Sequence, residues 1–248
     1  MSKQLTMEIM NDLLNYKNLK IIQNENMFSF SLDSVLLPNF VTINKNTKRI
    51  LDIGCGNAPI PLILSTKTRA SIVGIEIQPE VYDMAKRTVE INNLEEQITI
   101  LNDDINEWYQ NIESDTFDVI TCNPPYFKVD KESHLNLSDY KTFARHEITL
   151  NLSQLLKISK KLLKNGGVIA IVHRPERLIE IVLEMKKNNI EPKKIRFVYP
   201  KIGSEANTLL IEGVKNGNSG IKILPPLYAH YNNGEYSEEI RSYFENTN

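Results

Sequence analysis

Between Arg49 and Val214 the chain alternates short β-branched runs with longer amphipathic stretches, and no other feature limits its fold so strongly. Such alternation is the pattern of an α/β domain, in which a mostly parallel sheet is covered by helices on both faces. Seven strands are predicted, at Arg49–Ile53, Ser71–Glu76, Ile98–Leu101, Phe117–Cys122, Val168–His173, Lys194–Val198 and Thr208–Val214. Helices are predicted near Pro59–Thr66, Pro79–Asn92, Leu150–Lys164 and Pro175–Asn188. Three of them open on proline, whose fixed φ suits a first turn and whose missing N–H is not needed there. Gly166 and Gly167 are expected to cap the helix before them and turn the chain into the next strand.

Ahead of this core, Lys20–Leu32 alternates polar residues with Ile21, Ile22, Met27, Phe28 and Phe30, as a hairpin does. Residues 1–48 are expected to form a cap of helix and hairpin, and residues 49–248 one domain, because 248 residues can bury a single substantial core. Val129–Asp139 is polar and aperiodic and is expected to be a mobile loop. A net charge of −2 gives no global attraction to nucleic acid, so such binding needs a local basic face. Cys55 and Cys122 lie in apolar strand-like runs with no thiol or histidine at ligand spacing. No metal site is expected, and a reduced cytosol fits. No apolar run approaches membrane-spanning length, and Met1–Leu14 mixes Lys3, Glu8 and Asp12 among its apolar residues. The expectation is a soluble, unprocessed cytoplasmic protein without membrane contact.

Leu51-Asp52-Ile53-Gly54-Cys55-Gly56-Asn57-Ala58 places a glycine-rich turn between the first core strand and a helix. Glycines there let a backbone approach a ligand closely. About twenty residues on, Glu76 ends the second strand, the spacing at which an acid accepts hydrogen bonds from ribose hydroxyls. Asp52, Gly54, Gly56, Asn57, Glu76 and the adjoining Ile77 form the expected cofactor pocket. No third glycine stands near Pro59 to admit a pyrophosphate, so an adenosyl ligand without phosphates fits best. Asp103 and Asp104 follow the third strand as acceptors for an adenine amino group, Asp104 the better candidate because an apolar residue follows it, or as caps of the next helix, and the sequence leaves both readings open.

Asn123-Pro124-Pro125-Tyr126 follows the fourth strand, where open α/β sheets place their ligand crevice. An aromatic amine is a poor nucleophile because its lone pair is delocalised into the ring. Two acceptors at fixed angles draw its N–H groups out of plane: the Asn123 side-chain carbonyl and the Pro124 main-chain carbonyl. The paired prolines fix the backbone and add no competing donor. Tyr126 offers a flat face for a flipped-out base.

Asp52-x-Gly54-x-Gly56, Gly74-x-Glu76, Asp104 and Asn123-Pro124-Pro125-Tyr126, in this order, resemble the class I amino-methyltransferases over roughly residues 30–215. More narrowly, Phe30-Ser31-Leu32-Asp33, Ala144-Arg145-His146-Glu147, Arg174-Pro175-Glu176-Arg177 and Leu224-Pro225-Pro226-Leu227 resemble the bacterial tRNA1(Val) adenine-37 N6-methyltransferase family from end to end. The resemblance implies a Rossmann-like fold with a seven-stranded sheet whose last strand is antiparallel. It also implies S-adenosyl-L-methionine as cofactor, an anticodon-loop adenine of tRNA as substrate, and Phe30 and Asp33 lining the methionine side of the pocket. A sulfonium is already a strong electrophile, so positioning suffices and no metal is required.

Two further segments are candidates for contact with RNA. Arg145 and His146, beside Glu147, suit either a face toward RNA or a salt-bridge cluster at a helix entry. Lys187, Lys193, Lys194, Arg196 and Lys201 stand against Glu191 alone, with Phe197 and Tyr199 interleaved; such a run is by itself more often a solvated face, but beside a nucleic-acid methyltransferase core it is the first choice for a phosphate-contacting surface. A glutamine methyltransferase of release factors is the nearest rival reading, but fewer than fifty residues precede the cofactor strand, too few for that family's helical bundle. A non-catalytic RNA-binding protein on the same fold has no reason to keep Asn123 and Tyr126 together.

Overall fold

The computed structural model describes residues 8–13, 18–24, 31–124 and 150–245. An antiparallel hairpin of β1 (Glu8–Asp12) and β2 (Lys20–Asn24) precedes α1 (Leu32–Phe40). The alternating core follows as β3 (Arg49–Ile53), α2 (Pro59–Ser65), β4 (Ser71–Glu76), α3 (Pro79–Ile91), β5 (Ile98–Asn102), the short α4 (Ile105–Trp108) and β6 (Phe117–Cys122). Then come α5 (Leu152–Leu162), β7 (Leu163–His173), α6 (Leu178–Lys187), β8 (Ile190–Tyr199) and β9 (Thr208–Lys215). β10 (Lys222–Ile223), β11 (Leu227–Tyr228) and α7 (Glu238–Glu245) close the described chain.

The main sheet runs β10-β8-β9-β7-β6-β3-β4-β5, with β11 also pairing with β8. β9 lies antiparallel to both of its neighbours, and every other pair in this sheet is parallel. All seven predicted strands are present. Among the described residues the sheet has nine, because β10 and β11 add two-residue strands too short to show any periodicity.

Period-2 alternation divides the core between two faces. Ile50, Ile72, Ile98, Val119 and Val172 pack with residues of α1, α2 and α3, whereas Leu51, Ile53, Ile75, Ile120 and Ile171 pack with α5 and α6. A strand buried on both sides reads as a continuous apolar run, which is why these strands were legible.

Three local expectations are corrected. Lys20–Asn24 is the second strand of a hairpin with Glu8–Asp12, and Leu32 already begins a helix. The partner strand escaped notice because Glu8–Asp12 is mostly exposed and its pairing is carried by backbone bonds. Helix α5 opens on an Asn151 capping box with Gln154 and ends at Leu162, not at the glycines. Leu163 is fully buried opposite Phe117, so the sheet takes the chain early, and Gly166 (φ 75°) serves a register shift inside β7. Pro175–Arg177 forms a 3-10 turn, so α6 starts later than predicted.

Candidate active site

Parallel order brings the ends of β3, β4, β5 and β6 to one edge of the sheet, so residues 54–58, 76–78, 102–104 and 123–124 become neighbours. In the turn after β3, Gly54 and Gly56 adopt φ of 68° and 55°, and Ala58 also lies in the left-handed region at 72°. The Gly54 and Cys55 amides bond the Ile75 carbonyl at 2.9 and 3.0 Å. The Gly56 amide donates to Glu76 Oε2 at 3.1 Å, and the Gln78 amide to Glu76 Oε1 at 2.9 Å. Buried Glu76 thereby fastens two loops together. Each of its oxygens retains a second lone pair.

A Cβ added at Gly54 or Gly56 would meet nothing within 4 Å, so the space beside this backbone is open and glycine answers to φ. Gly74 answers to room instead, since a Cβ there would lie 2.9 Å from Cys55 Sγ.

Asp52 is fully buried. Its Oδ1 accepts a 2.6 Å hydrogen bond from Thr121 Oγ1, whereas Oδ2 is buried with no hydrogen-bond partner among the described residues. Burial, with the nearby Glu76 charge adding to it, pushes this carboxyl up to about 7 against the opposing Thr121 bond. Burial also raises the thiols of Cys55 and Cys122, so neither supplies a thiolate nucleophile at neutral pH.

Asp104 is the N-cap of α4 and accepts from the Asn106 amide at 2.8 Å and from Asn106 Nδ2 at 3.0 Å. Asp103 beside it is exposed, and Ile77 presents an apolar side chain at the same rim, 36% exposed. Asn57 turns the other way. Its Nδ2 bonds the Ile22 carbonyl at 2.8 Å, which ties the hairpin to the turn.

Asn123 and Pro124 are half-buried directly after β6. Asn123 Nδ2 donates to Ser34 Oγ at 3.4 Å across 89 positions. Ser34 was missed: a serine beside Asp33 carries no signal until α1 is laid over the end of β6. Asp33 itself accepts a hydrogen bond from Thr208 Oγ1 at 3.3 Å, joining the start of α1 to β9. Phe30, Pro125, Tyr126, Arg145 and His146, with the expected loop at Val129–Asp139, lie outside the described residues.

Side chains of the basic stretch have partners within the fold. Lys194 Nζ bonds Glu212 at 2.9 Å, the Phe40 carbonyl at 2.7 Å and Thr42 Oγ1 at 2.7 Å, and sits over the Phe40 ring. Arg196 pairs with Glu239 of α7 and bonds the Pro225 carbonyl at 3.0 Å, and Lys193 bonds the Asn218 carbonyl at 3.0 Å. These side chains hold α1, α7 and the segment after β9 to the sheet.

Among the described residues no cluster of His, Cys, Asp and Glu is arranged to hold a metal, and no helix is long and apolar enough to cross a membrane. The model of the methyltransferase small domain family matches residues 18–195. A tRNA1(Val) (adenine(37)-N6)-methyltransferase of Bacteroides thetaiotaomicron is 29% identical over 239 residues, covering 94% of this chain and 98% of that protein. One of Parabacteroides distasonis is 30% identical over 206 residues, with 82% and 83% covered. A predicted O-methyltransferase from Agrobacterium tumefaciens shares the fold with a TM-score of 0.68 at 17% identity, covering 86% of this chain and 95% of that one. Geranyl diphosphate C-methyltransferase from Streptomyces coelicolor, solved with S-adenosyl-L-homocysteine, shares it with a TM-score of 0.56 at 11% identity, covering 73% and 74%. The chain belongs to the methyltransferase small domain family and, with these relatives, to the tRNA1(Val) (adenine(37)-N6)-methyltransferases.

Proposed function

We propose that this protein methylates N6 of an adenine in tRNA, namely adenine 37 in the anticodon loop of tRNA1(Val), with S-adenosyl-L-methionine as donor, in the cytoplasm. The observation that carries the reading is the placement of Asn123-Pro124 at the end of β6, on the sheet edge where Glu76 holds the glycine turn.

The residues present fit an adenosyl donor. Open space lies beside Gly54 and Gly56, Glu76 keeps acceptor capacity for ribose hydroxyls, and the buried Asp52 Oδ2 lacks a partner among the described residues. Ile77 supplies an apolar contact for an adenine ring, and Asp103 an acceptor for its amino group, since Asp104 Oδ1 is engaged in capping α4. Phe30 and Asp33 are assigned to the methionine side. When bound, S-adenosyl-L-methionine supplies a methyl group already activated by its sulfonium.

The protein's own task is to make the adenine amine nucleophilic. The Asn123 carbonyl and the Pro124 main-chain carbonyl accept its two N–H bonds and pull the lone pair out of conjugation. Ser34 takes the amide N–H of Asn123 and so sets which way that side chain faces. Tyr126 is assigned to stack on the base, a contact worth about 1–3 kcal/mol, and Arg145 and His146 to contact RNA. As the amine gains the methyl group it releases one proton to water.

Mass spectrometry of tRNA nucleosides from a deletion strain tests the reading. Loss of one N6-methyladenosine, restored by the wild-type chain and not by Asn123→Ala, is expected. An unchanged nucleoside profile would sink it.

A further inference from the structure

At the opposite edge of the sheet, where β3, β4 and β5 begin, lies a cavity of about 810 Å³. Its walls come from residues 43–45, 47–48 and 65–70 and from Gln97, so it lies a strand's length, roughly 15 Å, from the site described above. Four of the lining residues are cations, Lys45, Lys48, Lys67 and Arg69, and none is a carboxylate.

Several cations elsewhere are neutralised locally, as in Arg87–Glu8, Lys164–Asp118, Arg177–Glu180, Lys186–Glu191 and Lys215–Asp115. Lys45, Lys48 and Arg69 form no ion pair among the described residues, and Lys67 Nζ bonds the neutral Asn39 Oδ1 at 2.6 Å. Nearby negative dipole ends are covered. The Ser65 and Thr66 hydroxyls and the Lys67 amide bond the last carbonyls of α2, and Gln97 Nε2 bonds the Thr68 and Ala70 carbonyls at 2.7 and 3.0 Å. Asp118 is engaged outside the cavity by the Lys48 and Arg49 amides and by Lys164. Lys45, Lys48 and Arg69 line one cavity with no ion pair among the described residues, and an oxyanion there lowers the repulsion between like charges.

We propose that this cavity binds phosphate oxyanions, those of the RNA backbone beyond the modified loop. The source, though not the site, rests on the function proposed above. A stem lying along the α1–α2 side would carry its phosphates from the catalytic edge to this one.

The test compares the full chain with Lys45→Ser/Lys48→Ser/Arg69→Ser and with a control of equal charge loss, Lys86→Ser/Lys157→Ser/Lys222→Ser. S-adenosylhomocysteine binding verifies that each is folded, and Arg69→Ser alone stands in should the triple variant fail that check. Affinity for a tRNA transcript is followed against salt, and inorganic tripolyphosphate is titrated separately. The cavity variant is expected to lose on the order of tenfold in RNA affinity, with a salt slope lowered by about 0.7–0.9 per phosphate contact removed, while the control keeps its slope. Tripolyphosphate binding by wild type and not by the variant, with unaltered RNA slopes, supports the oxyanion site and assigns it to a free polyphosphate. If wild type binds tripolyphosphate but no tRNA, the cavity stands and the proposed function fails. Equal slopes in all three proteins with no tripolyphosphate binding, or an equal loss in the control, would overturn the site.

Discussion

Asp52 accepts a 2.6 Å hydrogen bond from Thr121 across the β3–β6 pair, while its other oxygen is buried without a partner among the described residues. Burial holds this carboxyl near 7, against an ordinary value of 3.8. Below about pH 4 the folded and unfolded chains both keep the proton; between about 4 and 7 only the folded chain does. Stability is therefore lost as pH rises through that window, by on the order of 4 kcal/mol at most, and is flat above it. Asp52→Asn removes the linkage. Without cofactor, its thermal midpoint should gain on wild type from pH 4 to 7 and keep a constant lead beyond, and a pH-independent difference would refute a protonated Asp52. His173 acts in the opposite direction, since burial and the adjacent Arg177 lower it to about 4, but it is common to both proteins and cancels in the difference.

Asn123→Ala should lower the single-turnover rate with saturating tRNA by on the order of 10²–10³ and leave S-adenosylhomocysteine affinity unchanged, as expected for a group that matters chiefly in the transition state. Ser34→Ala removes only the bond that orients Asn123, so a loss of about fivefold in the same rate is expected. A Ser34 effect confined to tRNA affinity would show that it does not act through Asn123.

Glu76→Gln leaves one carbonyl oxygen where two oxygens now accept the Gly56 and Gln78 amides. One loop should be released and S-adenosylhomocysteine affinity should fall by about 1.5–3 kcal/mol, the range for hydrogen bonds to a charged group. Calorimetry checks this. Affinity equal to wild type would mean that the turn holds its shape without Glu76 and that ribose is recognised elsewhere.

Lys194→Ala should destabilise the fold by on the order of 2–3 kcal/mol, because Glu212 would keep a buried charge with its cation gone. The tRNA salt slope should not move. A stable variant with a flattened slope would place Lys194 on the RNA-binding surface.

The sequence by itself determined the seven core strands, the four longer helices between them and the order of the motifs, because each is written in neighbouring residues. β-branched runs buried on both faces show as unbroken apolar stretches, and Asn123-Pro124 follows its strand with no intervening residue. Only the tertiary structure decided what the charged and polar side chains do. Lys194 and Arg196 read as a basic face until Glu212 and Glu239 were brought beside them from 18 and 43 positions away. Ser34 meets Asn123 only when α1 crosses the sheet, and Asn57 bonds the Ile22 carbonyl only because β2 lies beside the turn. The basic cavity gathers three separate segments at the starts of three strands. Apolar burial follows a local period, whereas a side chain's partner depends on where a distant segment lands, and that is set by packing of the whole core.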